Sequence, residues 1–340
     1  MLRKIFKTNF VNVLRNVSSA VDGSIIQATS LVDLTENKQN ALTEVEHSIQ
    51  KVPRTDLSEI SKVLRPGAVS SMYVNKSDVL QQLVKLGVNL YQIEKDPEAM
   101  KFILTLKFED IKDTIIYLKE LGLETEQIGY AITKNPLLLQ ENLEDLKVRV
   151  NYLQYKKFTP EMITRIVENN PFWLTYSTQD IDNKLGFFQH HFSLTGKEVR
   201  LLTTKCPRLI TYPIKSVKLN TFVVKEEMGF SSEEIKQILL DRPQIFKTSQ
   251  HKLLKTFEYL HNEMKIPLET IAEMPQILNC RVKRLKERHQ FLVKLGSDQY
   301  DCKKPNYVSL LALISNNDTH FSTEVAKSSV QLYNEFLKTL

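Results

Sequence analysis

Residues 232–260 read SEEIKQILLDRPQIFKTSQHKLLKTFEYL, and their pattern predicts the fold. Ile235, Ile238 and Leu239 have the i, i+3, i+4 spacing that puts apolar side chains on one face of a helix. That helix must end before Pro243, because the proline ring disfavours helical backbone in the residue before it. An apolar pair just after the proline predicts a short helix, and an apolar stripe at helical spacing further along predicts a longer third helix.

The same pattern recurs along the chain. Six prolines mark it at nearly regular intervals, longest before Pro136 and shortest before Pro275: Pro97, Pro136, Pro171, Pro207, Pro243 and Pro275. A unit of about 35 residues cannot bury its apolar faces alone, so neighbouring units must stack. The sequence therefore predicts an all-α fold, a solenoid of stacked three-helix, proline-marked repeats. Leu-Gly pairs predict where third helices end, with Gln154 and Lys265 standing in for glycine in two units.

The ends of the chain differ from the repeats. Residues 1–21 contain four basic residues, no acid and apolar residues at helical spacing, which is typical of a mitochondrial transit peptide; a plain basic surface helix is the alternative. Residues 22–60 are acidic and weakly periodic, which indicates a disordered linker. We expect the repeats over residues 61–300 and a C-terminal helical cap over residues 301–340. Apolar runs are too short to span a bilayer, so no membrane association is expected.

The sequence contains no recognisable catalytic or metal-binding pattern. The histidines lack metal-ligand spacing with cysteines or carboxylates, and His289 falls on a predicted core stripe. A glycine-rich phosphate loop and a nucleophile elbow are also missing from the sequence. The three cysteines are far apart, which disfavours a disulfide framework. We therefore expect a protein that is not an enzyme and that has no metal site and no cofactor.

These repeats resemble the mitochondrial transcription termination factor family, mTERF. The resemblance rests on a Leu-Gly, a helix ending at proline and an apolar pair after it, repeated across about residues 78–340. Four stretches resemble one animal branch of the family more closely: LGVNL with IEKDPEA (86–99), KERHQFLVKLG (286–296), QYDCKKPNY (299–307) and EVAKSSVQ (324–331). The resemblance implies a half-doughnut superhelix in the mitochondrial matrix that binds nucleic acid along a positively charged surface. For that branch it further implies repression of mitochondrial transcription and assembly of the large ribosomal subunit.

Counting from the prolines also locates the positive charge. Positions 8, 9, 11 and 12 after each proline should face away from the core, and in the last three units seven of these twelve positions are Lys or Arg. We define the basic ridge as these seven residues: Lys215, Lys218, Lys252, Lys255, Lys283, Arg284 and Lys286. Arg281 and Arg288 flank the ridge as further candidate contacts. Such a ridge suits a phosphate backbone, because each cation that neutralises a phosphate releases counterions. Double-stranded mitochondrial DNA and ribosomal RNA are both expected partners, bound by a monomer.

Other interpretations of the same residues stay open. A charge run can be a merely solvated face, and a solenoid can serve as a scaffold for a protein partner such as an RNA methyltransferase or a ribosomal protein. The aromatics Phe172, Trp173 and Phe246 fall at or beside the buried pairs, so we expect them in the core and not as platforms for bases. Binding by shape and charge is therefore favoured over base-by-base recognition.

Overall fold

The computed structural model describes Val74 and residues 77–340, and every regular element within that part of the chain is a helix. The predicted transit peptide (1–21) and acidic linker (22–60) lie outside the described residues. The prediction of an all-α solenoid is confirmed. We number the units 1 to 6 by their prolines, from Pro97 to Pro275.

Units 2 to 6 share one helix order. The first helices are Thr125–Lys134, Pro160–Asn169, Gly196–Lys205, Ser232–Asp241 and Leu268–Glu273. The short helices are Pro136–Gln140, Pro171–Thr175, Pro207–Thr211, Pro243–Lys247 and Pro275–Asn279. The third helices are Leu143–Tyr155, Thr178–His191, Ile214–Phe222, Gln250–Glu258 and Val282–Lys294. The third helices of units 4 and 5 continue through one π turn each, Val223–Glu227 and Tyr259–Glu263.

The prolines separate the helices as predicted. Each first helix stops two residues before its proline, and the intervening residue, such as Asn170 with φ −149° and ψ 80°, leaves the helical region. The apolar pairs after the prolines are buried; Trp173 and Leu174, for example, are 1% and 0% exposed. These pairs join first and third helices in one continuous core.

The irregular repeat intervals correspond to single turns of helix. In unit 1 the helix after the proline, Pro97–Thr105, has nine residues where later units have five, and this adds four residues to the interval. The buried stripe of the following helix, Phe108–Glu120, moves by the same four residues, to Ile111, Ile115 and Leu118. The shorter interval before Pro275 reflects a first helix of six residues in place of ten. Because one turn is about 3.6 residues, both changes keep the apolar face in register.

The units stack in three columns. First helices pack on first helices and short helices on short helices, while each third helix packs on the short helix of the next unit. Upstream of unit 1 lie Asp78–Lys85 and Leu90–Ile93. After unit 6 the helices are Leu310–Ile314, Asp318–His320 with the π turn Phe321–Val325, and Val330–Leu337. Leu310–Ile314 and the helix that follows it repeat the order of short helix and third helix, but no proline precedes them.

Three expectations about individual residues need correction. Phe172 is not in the core but 46% exposed, because it is the second residue of a short helix whose inward positions are taken by the next two residues. His289 is only half-buried and bonds through Nδ1 to the Tyr300 hydroxyl at 2.8 Å. Gln154 lies within its helix, and the left-handed residue that ends this helix is Lys157, with φ 64°. Lys265 does take the left-handed conformation expected of it, with φ 55°.

Candidate nucleic-acid interface

The basic ridge lies on the N-terminal turns of three consecutive third helices, those of units 4, 5 and 6. Lys215, Lys218, Lys255 and Lys283 are exposed, while Lys252, Arg284 and Lys286 are half-buried. Lys215 and Lys255 have no hydrogen-bond or ion-pair partner within residues 77–340, and the same is true of the exposed Arg281. Lys283 lies 3.5 Å from Glu287, but its side chain stays 89% exposed.

Two ridge lysines contact the preceding third helix at matching positions. The ammonium of Lys218 lies 5.6 Å from the ring centroid of Phe187, and that of Lys286 lies 4.9 Å from the ring centroid of Tyr259. Counted from their own prolines, the two lysines hold the same repeat position, and so do the two aromatic rings. In unit 3 the position equivalent to the lysines is acidic, and Asp182 instead accepts a hydrogen bond from Tyr152. The contact site of unit 3 thus carries the opposite charge to those of units 4 and 6.

Lys218 also acts on a neighbouring histidine. His191 ends the third helix of unit 3, and burial together with the positive charge of Lys218 lowers the pKa of its imidazole. Lys252 and Arg284 approach Cys280, at the end of the short helix of unit 6. Burial raises the pKa of the Cys280 thiol to about 11, against the opposite effect of these two cations. Ridge cations from all three units thus disfavour further positive charge at these two groups.

The three ridge helices begin without favourable end charges. None carries an acid in its first turn, and none has a side-chain hydrogen bond at its N-cap. The third helices of units 2 and 3 are capped by Asn142 and Ser177 and carry Glu144, Asp145 and Asp180 in the first turn. Because a helix N-terminus is partly positive, cations there cost stability, and acids contribute about 0.3–1 kcal/mol each. The ridge helices forgo this stabilisation.

Arg288 does not belong to the interface, contrary to the prediction from charge. Its side chain is 0% exposed, and its guanidinium lies 2.8 Å from an Asp318 carboxylate oxygen. It also donates to the carbonyl oxygens of Leu313, Ser315 and Asn316, at 3.1, 2.7 and 3.1 Å. With its side chain buried and its donors directed at these acceptors, Arg288 cannot reach a phosphate. It joins the third helix of unit 6 to the end of Leu310–Ile314.

Arg288 is one of a series that we call the capping residues: Arg149, Lys184, Asn220, Lys252 and Arg288. Each projects from a third helix and donates to carbonyl oxygens at the end of the next short helix, where helical backbone leaves acceptors unpaired. Asn220, for example, donates to Phe246 and Thr248, both at 2.9 Å. Four of the five hold the same position counted from a proline, so the repeat register could have identified Arg288.

Lys252 is both a ridge residue and a capping residue. It stands one helical turn before the position that the other four capping residues share, and its ammonium donates to the Asn279 carbonyl oxygen at 3.0 Å. Two of its three donors stay available, because an ammonium carries three N–H groups.

The charge pattern did not reveal two apolar residues on the same helix face. Leu219 and Phe222 are 48% and 56% exposed and lie beside Lys215 and Lys218 on the third helix of unit 4. Across residues 77–340 no cluster of three or more His, Cys, Asp or Glu side chains could hold a metal ion. Over the same residues no helix is both long and apolar enough to cross a membrane.

Comparison with known proteins agrees with this architecture. The family model described as mTERF matches residues 58–322. The chain is 41% identical over 268 residues to "Transcription termination factor 3, mitochondrial" of Drosophila melanogaster, covering 78% of this chain and 76% of that protein. It is 46% identical over 269 residues to the protein of that name in Rattus norvegicus, covering 79% and 66%. For the Mus musculus protein of that name the identity is 40%, covering 99% and 86%. The chain belongs to the mTERF family.

Proposed function

We propose that this protein binds nucleic acid through the basic ridge and Arg281, mainly by contacts to the phosphate backbone. One observation carries the proposal: the third helices of units 4, 5 and 6 carry exposed cations near their N-termini. These three helices have no side-chain cap and lack the first-turn acids that stabilise the third helices of units 2 and 3. A bound phosphate would supply the missing negative charge at these helix ends. The arrangement contains no polar column that could read bases one by one, so shape and charge determine binding.

The family and the names of the relatives suggest the setting. We infer that the protein acts in the mitochondrial matrix as a monomeric regulator of gene expression. Its ligands are double-stranded mitochondrial DNA, mitochondrial ribosomal RNA or both, because each presents the phosphates that the ridge recognises. Repression of transcription and assistance to large-subunit assembly are the roles that we propose for it. We infer a binding role and not a catalytic one.

The salt dependence of binding tests the proposal. The affinity of the purified chain for a 30-base-pair DNA duplex and for an RNA duplex would be measured by fluorescence anisotropy over a range of salt concentrations. If the seven ridge cations each neutralise a phosphate, the logarithm of affinity falls with the logarithm of salt with a slope of about −6. A slope near zero, or no binding in moderate salt, would favour the scaffold alternative instead.

Reversing the charge of two ridge lysines tests whether nucleic acid binds at the ridge. Lys215→Glu with Lys255→Glu should weaken binding to all sequences alike and make the slope shallower by about 2. The matched control is Lys157→Glu with Lys197→Glu, which makes the same change in net charge at exposed, unpartnered lysines elsewhere among the described residues. If both double variants lost affinity for nucleic acid equally, binding would depend on the net charge of the protein and not on the ridge.

A further inference from the structure

A second exposed surface runs along the first and short helices of units 2, 3 and 4. It is built from the positions six residues before and one residue after each proline. Four of its six residues are large and apolar: Tyr130, Leu137, Phe172 and Leu201 are 39%, 50%, 46% and 49% exposed. Arg165 and Arg208 occupy the other two positions. We call these six residues the apolar face.

The apolar face is continuous across the three units. Nη2 of Arg208 in unit 4 donates to the hydroxyl of Tyr130 in unit 2 at 3.0 Å, although the whole of unit 3 separates them in sequence. Nε of Arg208 donates to the Asn169 carbonyl oxygen of unit 3, also at 3.0 Å. Side chains of units 2 and 4 therefore meet on this surface. Contiguous exposed apolar groups of this kind usually mark a site of interaction.

The cations here differ from those of the ridge. Lys134 donates to the Gln92 side chain at 3.3 Å, and Lys205 donates to the carbonyl oxygens of Leu240 and Asp241 at 2.8 and 2.6 Å. Arg208 is held by the two bonds already described. Arg165 is thus the exposed guanidinium on this face that has no partner within residues 77–340. Few charges are left to neutralise phosphates, and two of the four apolar residues are leucines, which offer no aromatic surface on which a base could stack.

We propose that the apolar face docks a partner protein through a segment that carries apolar side chains and a carboxylate for Arg165. Aromatic residues and arginine are the types most enriched at the centres of protein interfaces, where they provide most of the binding energy. An arginine fork binds a carboxylate with two parallel hydrogen bonds, so a single acidic residue on the partner would fix its register. The site is separate from the ridge, and the proposal does not depend on nucleic-acid binding.

Site-specific crosslinking in mitochondria tests the proposal. The full chain would carry the photocrosslinker p-benzoylphenylalanine at Phe172 or Leu201, with Tyr155 as the control position. Tyr155 is 80% exposed but lies on a third helix, outside the apolar face. We expect both test positions to crosslink to one polypeptide through a peptide that contains apolar and acidic residues, identified by mass spectrometry, and the control not to do so. The proposal would be overturned if the test positions crosslinked to nucleic acid, to a second copy of this chain or to nothing. It would also be overturned if Tyr155 crosslinked equally well to the same polypeptide.

Affinity measurements on the identified polypeptide then separate this surface from the ridge. Phe172→Ala and Arg165→Glu should each weaken its binding about 10-fold or more, and Tyr155→Ala should leave it unchanged. The substituted side chains are exposed, so each variant should retain the wild-type thermal midpoint. Neither face variant should change the salt slope for duplex DNA. A loss of nucleic-acid affinity in Phe172→Ala, with the protein partner still bound, would place this residue in a nucleic-acid site and reject the proposal.

Discussion

Gly129 packs directly against the carbonyl oxygen of Leu86: a Cβ atom on Gly129 would lie 2.0 Å from that oxygen. The contact joins the first helix of unit 2 to the end of the helix Asp78–Lys85. One turn later, the Thr133 hydroxyl accepts a hydrogen bond from the Asn89 amide at 2.8 Å. The repeat register places Thr164 of unit 3 at the position of Gly129, and its hydroxyl donates to the Leu121 carbonyl oxygen. At this edge the first helix of a unit therefore contacts the end of the third helix two units before it.

Gly129→Ala should lower the free energy of unfolding, although alanine favours a helix interior by about 1 kcal/mol over glycine. The added methyl group has no space against the Leu86 backbone, and overpacking of this kind costs roughly 1–3 kcal/mol. Gly186→Ala is the matched control, because Gly186 also lies in a helix but has nothing within 4 Å of an added Cβ. That variant should be more stable by about 0.5–1 kcal/mol. Urea denaturation measures both, and equal shifts would contradict the close approach.

Arg288→Met should lower the free energy of unfolding by roughly 1–3 kcal/mol, because it removes a buried guanidinium that donates to several carbonyl oxygens and to the half-exposed carboxylate of Asp318. Lys283→Met, on the same helix but with an exposed side chain, should change stability by less than about 0.5 kcal/mol. The affinity for duplex DNA per folded molecule should stay at the wild-type value in Arg288→Met. If Arg288→Met had normal stability but bound DNA more weakly, Arg288 would be a contact residue of the interface after all.

His251→Glu should raise stability and weaken nucleic-acid binding in the same protein. His251 is exposed in the first turn of a ridge helix, where an acid would interact favourably with the helix end, by about 0.3–1 kcal/mol. The same carboxylate would repel a phosphate bound there. Gln179→Glu is the equivalent change in unit 3 and should give similar stabilisation without loss of affinity. Thermal unfolding and anisotropy titration check the two effects, and a parallel loss of affinity in both variants would contradict the role of the ridge.

Lys218→Met should raise the pKa of His191 towards its ordinary value of 6.5, because it removes a positive charge that opposes protonation. Burial of the imidazole should still hold the pKa below that value. The unfolded chain binds the proton more tightly than the folded one, so the contribution of His191 to stability is lost as pH falls below about 6.5. This loss should be smaller in the variant. Histidine NMR titration measures the shift, and Lys255→Met should produce none.

Much of the fold could be predicted because proline fixes an origin for counting. From that origin the buried pairs, the ends of first helices and most of the third-helix stripe follow from helical geometry alone. The one-turn changes before Pro136 and Pro275 do not disturb this result, since they preserve the face of each helix. Thr221 is half-buried at a stripe position, which shows that the stripe is less complete in unit 4.

Two residues differ from the sequence prediction, Arg288 because of partners distant in sequence and Phe172 because of its place in a short helix. Arg288 is buried because its acceptors arrive 24 to 30 residues later, in a segment that lacks the marker proline. Phe172 is exposed because the five-residue helix buries Pro171, Trp173 and Leu174 and leaves Phe172 on its outer side. Neither fact is visible in charge or hydrophobicity at a single position. Comparing the same position across all units would have indicated the first of them.

The capping residues give the solenoid a direction. Each unit supplies the donor and the following unit supplies the acceptor, so removing units from the C-terminal end leaves one capping residue without its acceptors at the new boundary. Four of the five capping residues are cationic. Removal from the other end leaves only neutral carbonyl oxygens without a partner. An unpaired buried charge costs more than an unpaired carbonyl group. In a chain that emerges from its N-terminus, the capping residue of the newest unit would therefore lack its acceptors until the next unit is made. Folding would then proceed along the solenoid from the N-terminal to the C-terminal unit.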